Sequence, residues 1–329
     1  MRVRSVVVLS LVASVAVIGG LTFAYPAVDD LMVENPFWNG LSRVYVLVDP
    51  VRVKDLTQLR TLVQDPENST LLILGPSTSF SGEDLRALRV FVSGGGLLVL
   101  ADDFGSGNEV LEGFGFEFRF DGALLQDQLL KDKNGLMPKV YSRAGSYLRG
   151  VDSLVLNYAS VFTAVEGADV LTWSSPFSYV TYEPALPDEA VAGGPFPVVV
   201  ERGFGEGKIV AVSDSSLFIN SMIERGGNMA CLLNLVSGEV FIDEGHSMPS
   251  RLTLMRAFLV SVYSFLRNAE VRYGLAVVCV LSMFYIKWED KDGGVPVDEV
   301  EELLMDHPEY DRGLLERLRE MRRSARGRS

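Results

Sequence analysis

The sequence predicts an α/β domain on a flavodoxin-like, mostly parallel sheet with a mixed β insertion, and three observations carry that prediction. Leu71–Leu74 and Leu97–Ala101 are short unbroken apolar runs, the pattern of strands covered on both faces. Between them Leu85, Leu88 and Val92 recur at helical spacing until Gly94-Gly95-Gly96 stops the helix. Strand, helix and strand in that order make a βαβ unit, whose two strands lie parallel in one sheet.

The remaining elements follow from that unit. Upstream, Arg43–Val48 (RVYVLV) reads as a strand, and Val53–Val63 as a helix with Leu56, Leu59, Leu62 and Val63 on one face. Downstream, residues 106–120 read as a short helix followed by a strand over Phe116–Phe120. The pattern weakens across 121–195, where β-like pieces such as Ser153–Leu156 and Val170–Trp173 alternate with polar loops, the reading of the β insertion. Pro184–Pro197 is rich in proline and is expected to be an exposed loop. Pro197–Glu201 and Lys208–Ser213 form a hairpin around Arg202–Gly207. Asp214-Ser215-Ser216 then reads as a helix start, Met229–Val236 as a helix and Val240–Ile242 as a strand.

Both ends are expected to cross a membrane. Val6–Ala24 carries no charge over about 28 Å of helix, and Tyr273–Ile286 is a shorter apolar run closed by Arg272 and Lys287. Basic residues at both ends then predict a cell-membrane protein of two spans, with both termini cytoplasmic and the large domain outside. A cleaved signal peptide ending near Thr22-Phe23-Ala24 is the other reading of the first run. The corresponding divisions are an anchor (1–27), an extracytoplasmic domain (28–250, with the β insertion at 121–195), a helix leading into the second span (251–288, span 273–286) and a helical tail (289–329).

Charge and cysteine usage exclude several classes. The chain carries a formal net charge of −13, and nearly all of it lies in 29–268, where 30 acidic and 18 basic residues sum to −12. Such a surface repels phosphate backbones, so nucleic acid is not an expected partner. Only Cys231 and Cys279 are present, with no CxxC or CxxH spacing, which excludes a structural zinc knuckle and haem attachment. In the tail, Arg312–Ser329 has seven arginines and two glutamates, a segment suited to anionic lipid or an acidic partner as well as to plain solvent exposure. Asn68-Ser69-Thr70 has two readings on a loop outside the membrane, a glycosylation acceptor at Asn68 or a plain turn.

Gly94–Ala101, Gly207–Asn220 with its SDSSLFIN sequence, the later Asn228, and Val240–His246 with its FIDEGH sequence together resemble a family of uncharacterised membrane proteins, domain of unknown function 4350. The resemblance implies a fold like that of class I glutamine amidotransferases. It also implies association with a MoxR-type AAA+ ATPase system and a von Willebrand-like protein. Its structural motif residues here are Gly95, Gly96, Ser215, Asn220 and Asn228. The chemistry of glutamine amidotransfer is not legible, because it needs a cysteine thiolate on a tight turn beside a histidine. The corresponding strand ends in Leu100-Ala101-Asp102-Asp103, and Cys231 sits in an apolar helix.

The candidate site residues are therefore the strand-end acids. Asp102 and Asp103, Asp214, and Asp243-Glu244 with His246 all follow strands, where open α/β sheets bind ligands, and together they could hold a divalent cation. The competing reading is that the acids cap the loops and helices that follow, that Asn220 and Asn228 brace a turn, and that His246 lies on the surface. No catalytic residue and no cofactor is assigned. The functional expectation is a non-enzymatic, membrane-anchored binding or scaffold domain, with a metal-dependent hydrolase or transferase, and a transporter accessory subunit, as alternatives.

Overall fold

The computed structural model describes residues 3–142, 146–184, 186–289 and 299–326. The chain divides into two units, Met1–Leu259 and Val260–Ser329. In the first unit a nine-stranded sheet is formed by β1 (Val51–Val53), β2 (Ser69–Leu74), β3 (Leu97–Ala101), β4 (Lys139–Ser142), β5 (Ser153–Val155), β6 (Asp169–Trp173), β7 (Pro197–Phe204), β8 (Gly207–Val212) and β9 (Glu239–Asp243). The helices along the chain are α1 (Val3–Ala24), α2 (Ser42–Val48), α3 (Leu59–Leu62), α4 (Gly82–Ser93), α5 (Gly107–Gly113), α6 (Asn228–Leu235), α7 (Arg251–Arg267), α8 (Ala269–Glu289), α9 (Glu299–Asp306) and α10 (Arg312–Arg326).

The strand order is β1-β9-β2-β3-β8-β7-β6-β4-β5. The first five strands pair in parallel. The remaining pairings, from β8–β7 outward, are antiparallel. Pieces of the 121–195 stretch thus extend the main sheet as β4, β5 and β6. Others form a three-stranded sheet (Leu124–Gln126, Tyr179–Thr181 and Ala192–Gly193) and a two-stranded pair (Arg119–Phe120 with Phe162–Thr163).

Alternation along the parallel strands divides the core in two, as the pleat requires. Leu72, Leu74, Val99, Val210 and Ile242 pack on the face that carries Val44 of α2 and Cys231, Leu232 and Leu235 of α6. Leu71, Ile73, Leu98, Leu100, Ile209 and Phe241 pack on the face that carries Leu59 of α3, Leu88, Phe91 and Val92 of α4, and Val110 and Leu111 of α5. The helix α4 starts at a capping box in which Ser81 and Asp84 bond each other's backbone N–H. It stops at the three glycines. Gly95 has φ +106, and a Cβ at Gly96 would lie 2.5 Å from the Phe91 ring, so the βαβ turn closes only around glycine here.

Several expectations are corrected. The sheet is mixed, because the hairpin β7–β8 reverses direction and every strand beyond it follows antiparallel; it is not a mostly parallel flavodoxin-like sheet. Flanking transmembrane helices are not supported: among the described residues no helix is long and apolar enough to cross a membrane. In α8 the uncharged run between Arg272 and Lys287 covers about 21 Å. The two-span cell-membrane localisation, with its outside domain and cytoplasmic termini, falls with the spans. Asn68 is exposed, while Ser69 and Thr70 are buried at the start of β2.

Locally, RVYVLV is helix α2 rather than a strand, ended by Asp49 at φ 42 and by Pro50, and the strand that follows is the short β1. The stretch after Asp214 runs through turns up to α6 instead of starting a helix. In the second unit α9 and α10 leave Leu314, Leu318 and Met321 exposed and bury Val300.

Candidate functional site

The parallel strands end on one edge of the sheet, and each strand-end acid finds its partners there within the chain. Asp102 directly follows β3 and is buried. Its Oδ1 accepts the backbone N–H of Asp103 at 2.8 Å and of Gly105 at 3.0 Å, and its Oδ2 accepts that of Gly107 at 2.6 Å. A Cβ at Gly107 would sit 2.6 Å from Oδ2, so glycine lets the first turn of α5 close on the carboxylate. Burial pushes the Asp102 carboxyl up to about 6 against these hydrogen bonds.

Asp103 and Asp214 form a neighbouring group at the ends of β3 and β8. Asp103 Oδ2 accepts from Ser215 Oγ at 2.8 Å. Asp214 is closed off from solvent; Oδ2 accepts the Asn157 N–H at 2.7 Å, and Oδ1 accepts both the N–H and Oγ–H of Ser216 at 2.9 Å. Burial, with the Asp103 charge beside it, pushes Asp214 up to about 7. Burial also raises Asp103. Both acids thus hold the β3 and β8 loops and a third segment, at Asn157, in one arrangement.

Asp243 and His246 form a separate group around the end of β9. Asp243 Oδ1 accepts the Gly245 N–H at 3.0 Å, and Oδ2 lies 2.9 Å from His246 Nδ1. The imidazole is buried, stacks on Phe80 with ring centroids 3.8 Å apart, and turns Nε2 to Asp84 Oδ2 at 3.7 Å. This corrects the surface reading of His246. Glu244 points elsewhere and pairs with Arg52 at 2.6 Å, and Arg52 also pairs with Glu34. Sequence reasoning missed Phe80 and Asp84; the Ser81-x-x-Asp84 spacing marks a helix cap, but nothing local shows that Asp84 also faces a histidine 162 positions on.

The two asparagines join distant segments. Asn220 Oδ1 accepts the Arg43 N–H, and its Nδ2 donates to the Asn35 and Phe37 carbonyls and to Ser42 Oγ. Asn228 Oδ1 accepts the Val155 N–H, and its Nδ2 donates to the carbonyls of Val155, Leu217 and Met222. Among the described residues no group of three or more His, Cys, Asp or Glu could hold a metal ion. A cavity of about 620 Å³ lies beside the end of β2, lined by Asp29, Asp30, Gly75, Ser77, Met248 and Arg251 among others.

The fold and its edge define a mixed α/β protein whose strand-end acids are bonded into the loops that surround them. The chain belongs to the family described as Domain of unknown function (DUF4350), whose model matches residues 33–236. No curated protein matches the chain. Among solved structures it is similar to the mmIFT52 N-terminal domain (12% identity, 54% of this chain and 77% of that chain, TM-score 0.40). It is similar also to a putative thua-like protein from Bacteroides uniformis (13% identity, 56% and 73%, TM-score 0.35). A third is a beta-galactosidase from Bacillus circulans sp. alkalophilus (15% identity, 51% and 22%, TM-score 0.31). At these scores the likenesses carry no functional argument.

Proposed function

We propose that the chain is a non-enzymatic binding or scaffold protein that works with an AAA+ ATPase of the MoxR type. The observation that supports this reading most is the commitment of the strand-end carboxylates. Asp102 spends both oxygens on three backbone N–H groups, and Asp214 spends both on Asn157 and Ser216. A general base or a metal ligand needs a lone pair directed at a substrate or ion, and these oxygens are directed at their own loops. The ATPase enters through the family resemblance, and the exposed apolar residues of α10, flanked by Arg317 and Arg322, suit a protein contact.

The test mixes the purified full chain with the purified MoxR-type ATPase of the same organism, with and without ATP, and follows co-elution in size-exclusion chromatography. A defined complex is expected in at least one nucleotide state. Absence of a complex in both states, or a divalent-metal-dependent hydrolysis by the chain that Asp102→Asn abolishes, would overturn the reading.

A further inference from the structure

We infer that His246 is a pH-responsive latch: protonated, it clamps the loop after β9 to the start of α4 and fixes one wall of the cavity beside β2; deprotonated, it loosens that wall. Its two ring nitrogens face two carboxylates, Asp243 at 2.9 Å from Nδ1 and Asp84 at 3.7 Å from Nε2. With both nitrogens protonated Asp243 receives an N–H and Asp84 faces the charged ring across 3.7 Å. A neutral ring that keeps its Nδ1 proton on Asp243 turns a lone pair toward Asp84 instead. Asp84 Oδ2 also accepts from Ser81 N at 2.9 Å and Ser81 Oγ at 2.5 Å, so the acid is held in place by the cap and cannot swing away at no cost. Phe80, stacked at 3.8 Å and 13°, offers the ring face that favours a cation.

The surrounding charges leave these two acids as the ones that bear on the ring. Glu109 of α5 is bonded to the Phe80 N–H and Ser79 Oγ. Glu244, next in the chain to Asp243, pairs with Arg52 of β1. From Lys54, beyond β1, the backbone carbonyl is what approaches the loop, at Gly245. Residues 75–81 bring serine, threonine and phenylalanine. Burial lowers the His246 pKa, while the hydrogen bond and charge of Asp243, and then Asp84, more than offset it and hold it above 6.5.

The latch reaches the cavity through the backbone. The His246 carbonyl accepts the N–H of Ser77 at 2.8 Å and of Thr78 at 3.2 Å, and Ser77 Oγ accepts the Met248 N–H at 2.9 Å. Ser77 and Met248 line the cavity, and Asp29 across it accepts the Ser250 N–H at 2.7 Å. A shift of the imidazole therefore moves the residues that shape this space.

The sign follows from linkage. With its folded-state pKa above the unfolded value, the latch contributes fully below 6.5 and is lost as pH rises through the folded value. The experiment is an NMR titration of the imidazoles of the full chain, with hydrogen-exchange protection factors measured across the same range. His307→Gln assigns the two histidines. His246 is expected to titrate above 6.5, and the amides of Ser77, Thr78 and Met248 to lose roughly tenfold in protection, about 1.4 kcal/mol, through that titration. His246→Gln should flatten the pH dependence. Asp84→Asn should lower the midpoint, and Ser81→Ala, which keeps the carboxylate, should leave it in place. A midpoint at or below 6.5, protection that stays flat in the wild type, or the same pH dependence in His246→Gln would overturn the inference.

Discussion

Asp214 has three donors on its carboxylate and no contact with water, and the two facts pull in opposite directions. Hydrogen bonds favour the charged form; burial, with Asp103 beside it, favours the neutral one and prevails, raising the group to about 7, as burial raises Asp102 to about 6. Both folded-state values exceed the ordinary 3.8. These two groups therefore keep protons in the folded chain that they release in the unfolded chain, and their contribution to stability falls as pH rises from 3.8 to about 7. In urea unfolding followed across that range, the wild-type midpoint relative to that of Asp214→Asn should fall as pH rises; a relative midpoint that rises with pH would contradict this assignment. That acids end these strands was legible from Ala101-Asp102-Asp103 and Ile242-Asp243. Their protonation was not, since it depends on burial by segments such as Asn157 that lie far away in the chain. His246 shows the same limit, because a lone polar side chain near the end of a sequence motif gives no sign of the Phe80 ring that covers it.

Elements are held to one another by side chains that replace missing backbone partners. Asn228 supplies an acceptor and a donor to Val155 at the edge strand β5, and closes the turns at Leu217 and Met222 with the same amide. An alanine there leaves a buried N–H and three buried carbonyls without that partner. Asn228→Ala should therefore lower the unfolding free energy by about 3 kcal/mol, read from the denaturant midpoint. The βαβ unit was legible because its strands are continuous apolar runs and its helix has a cap and a glycine stop. By contrast, Arg43–Val48 alternates in a way that suits strand or helix, and what decides it is that Val44 meets the core while Val46 faces solvent. The strands β4, β5 and β6 are short and set between loops. Their order in the sheet is fixed by long-range pairing, which no local pattern encodes.

For the molecule as a whole, the parallel strands deliver acids to one edge of the sheet, and the loops there fold onto those acids. The family model covers this body from residue 33 to 236. The strand-end carboxylates hold these loops together, and Asp102 is the plainest case, with three backbone donors and almost no exposure. The measurement is equilibrium urea unfolding of Asp102→Ala beside the wild type. A loss of about 3 kcal/mol is predicted, since three N–H groups lose their acceptor; a variant as stable as the wild type would contradict this.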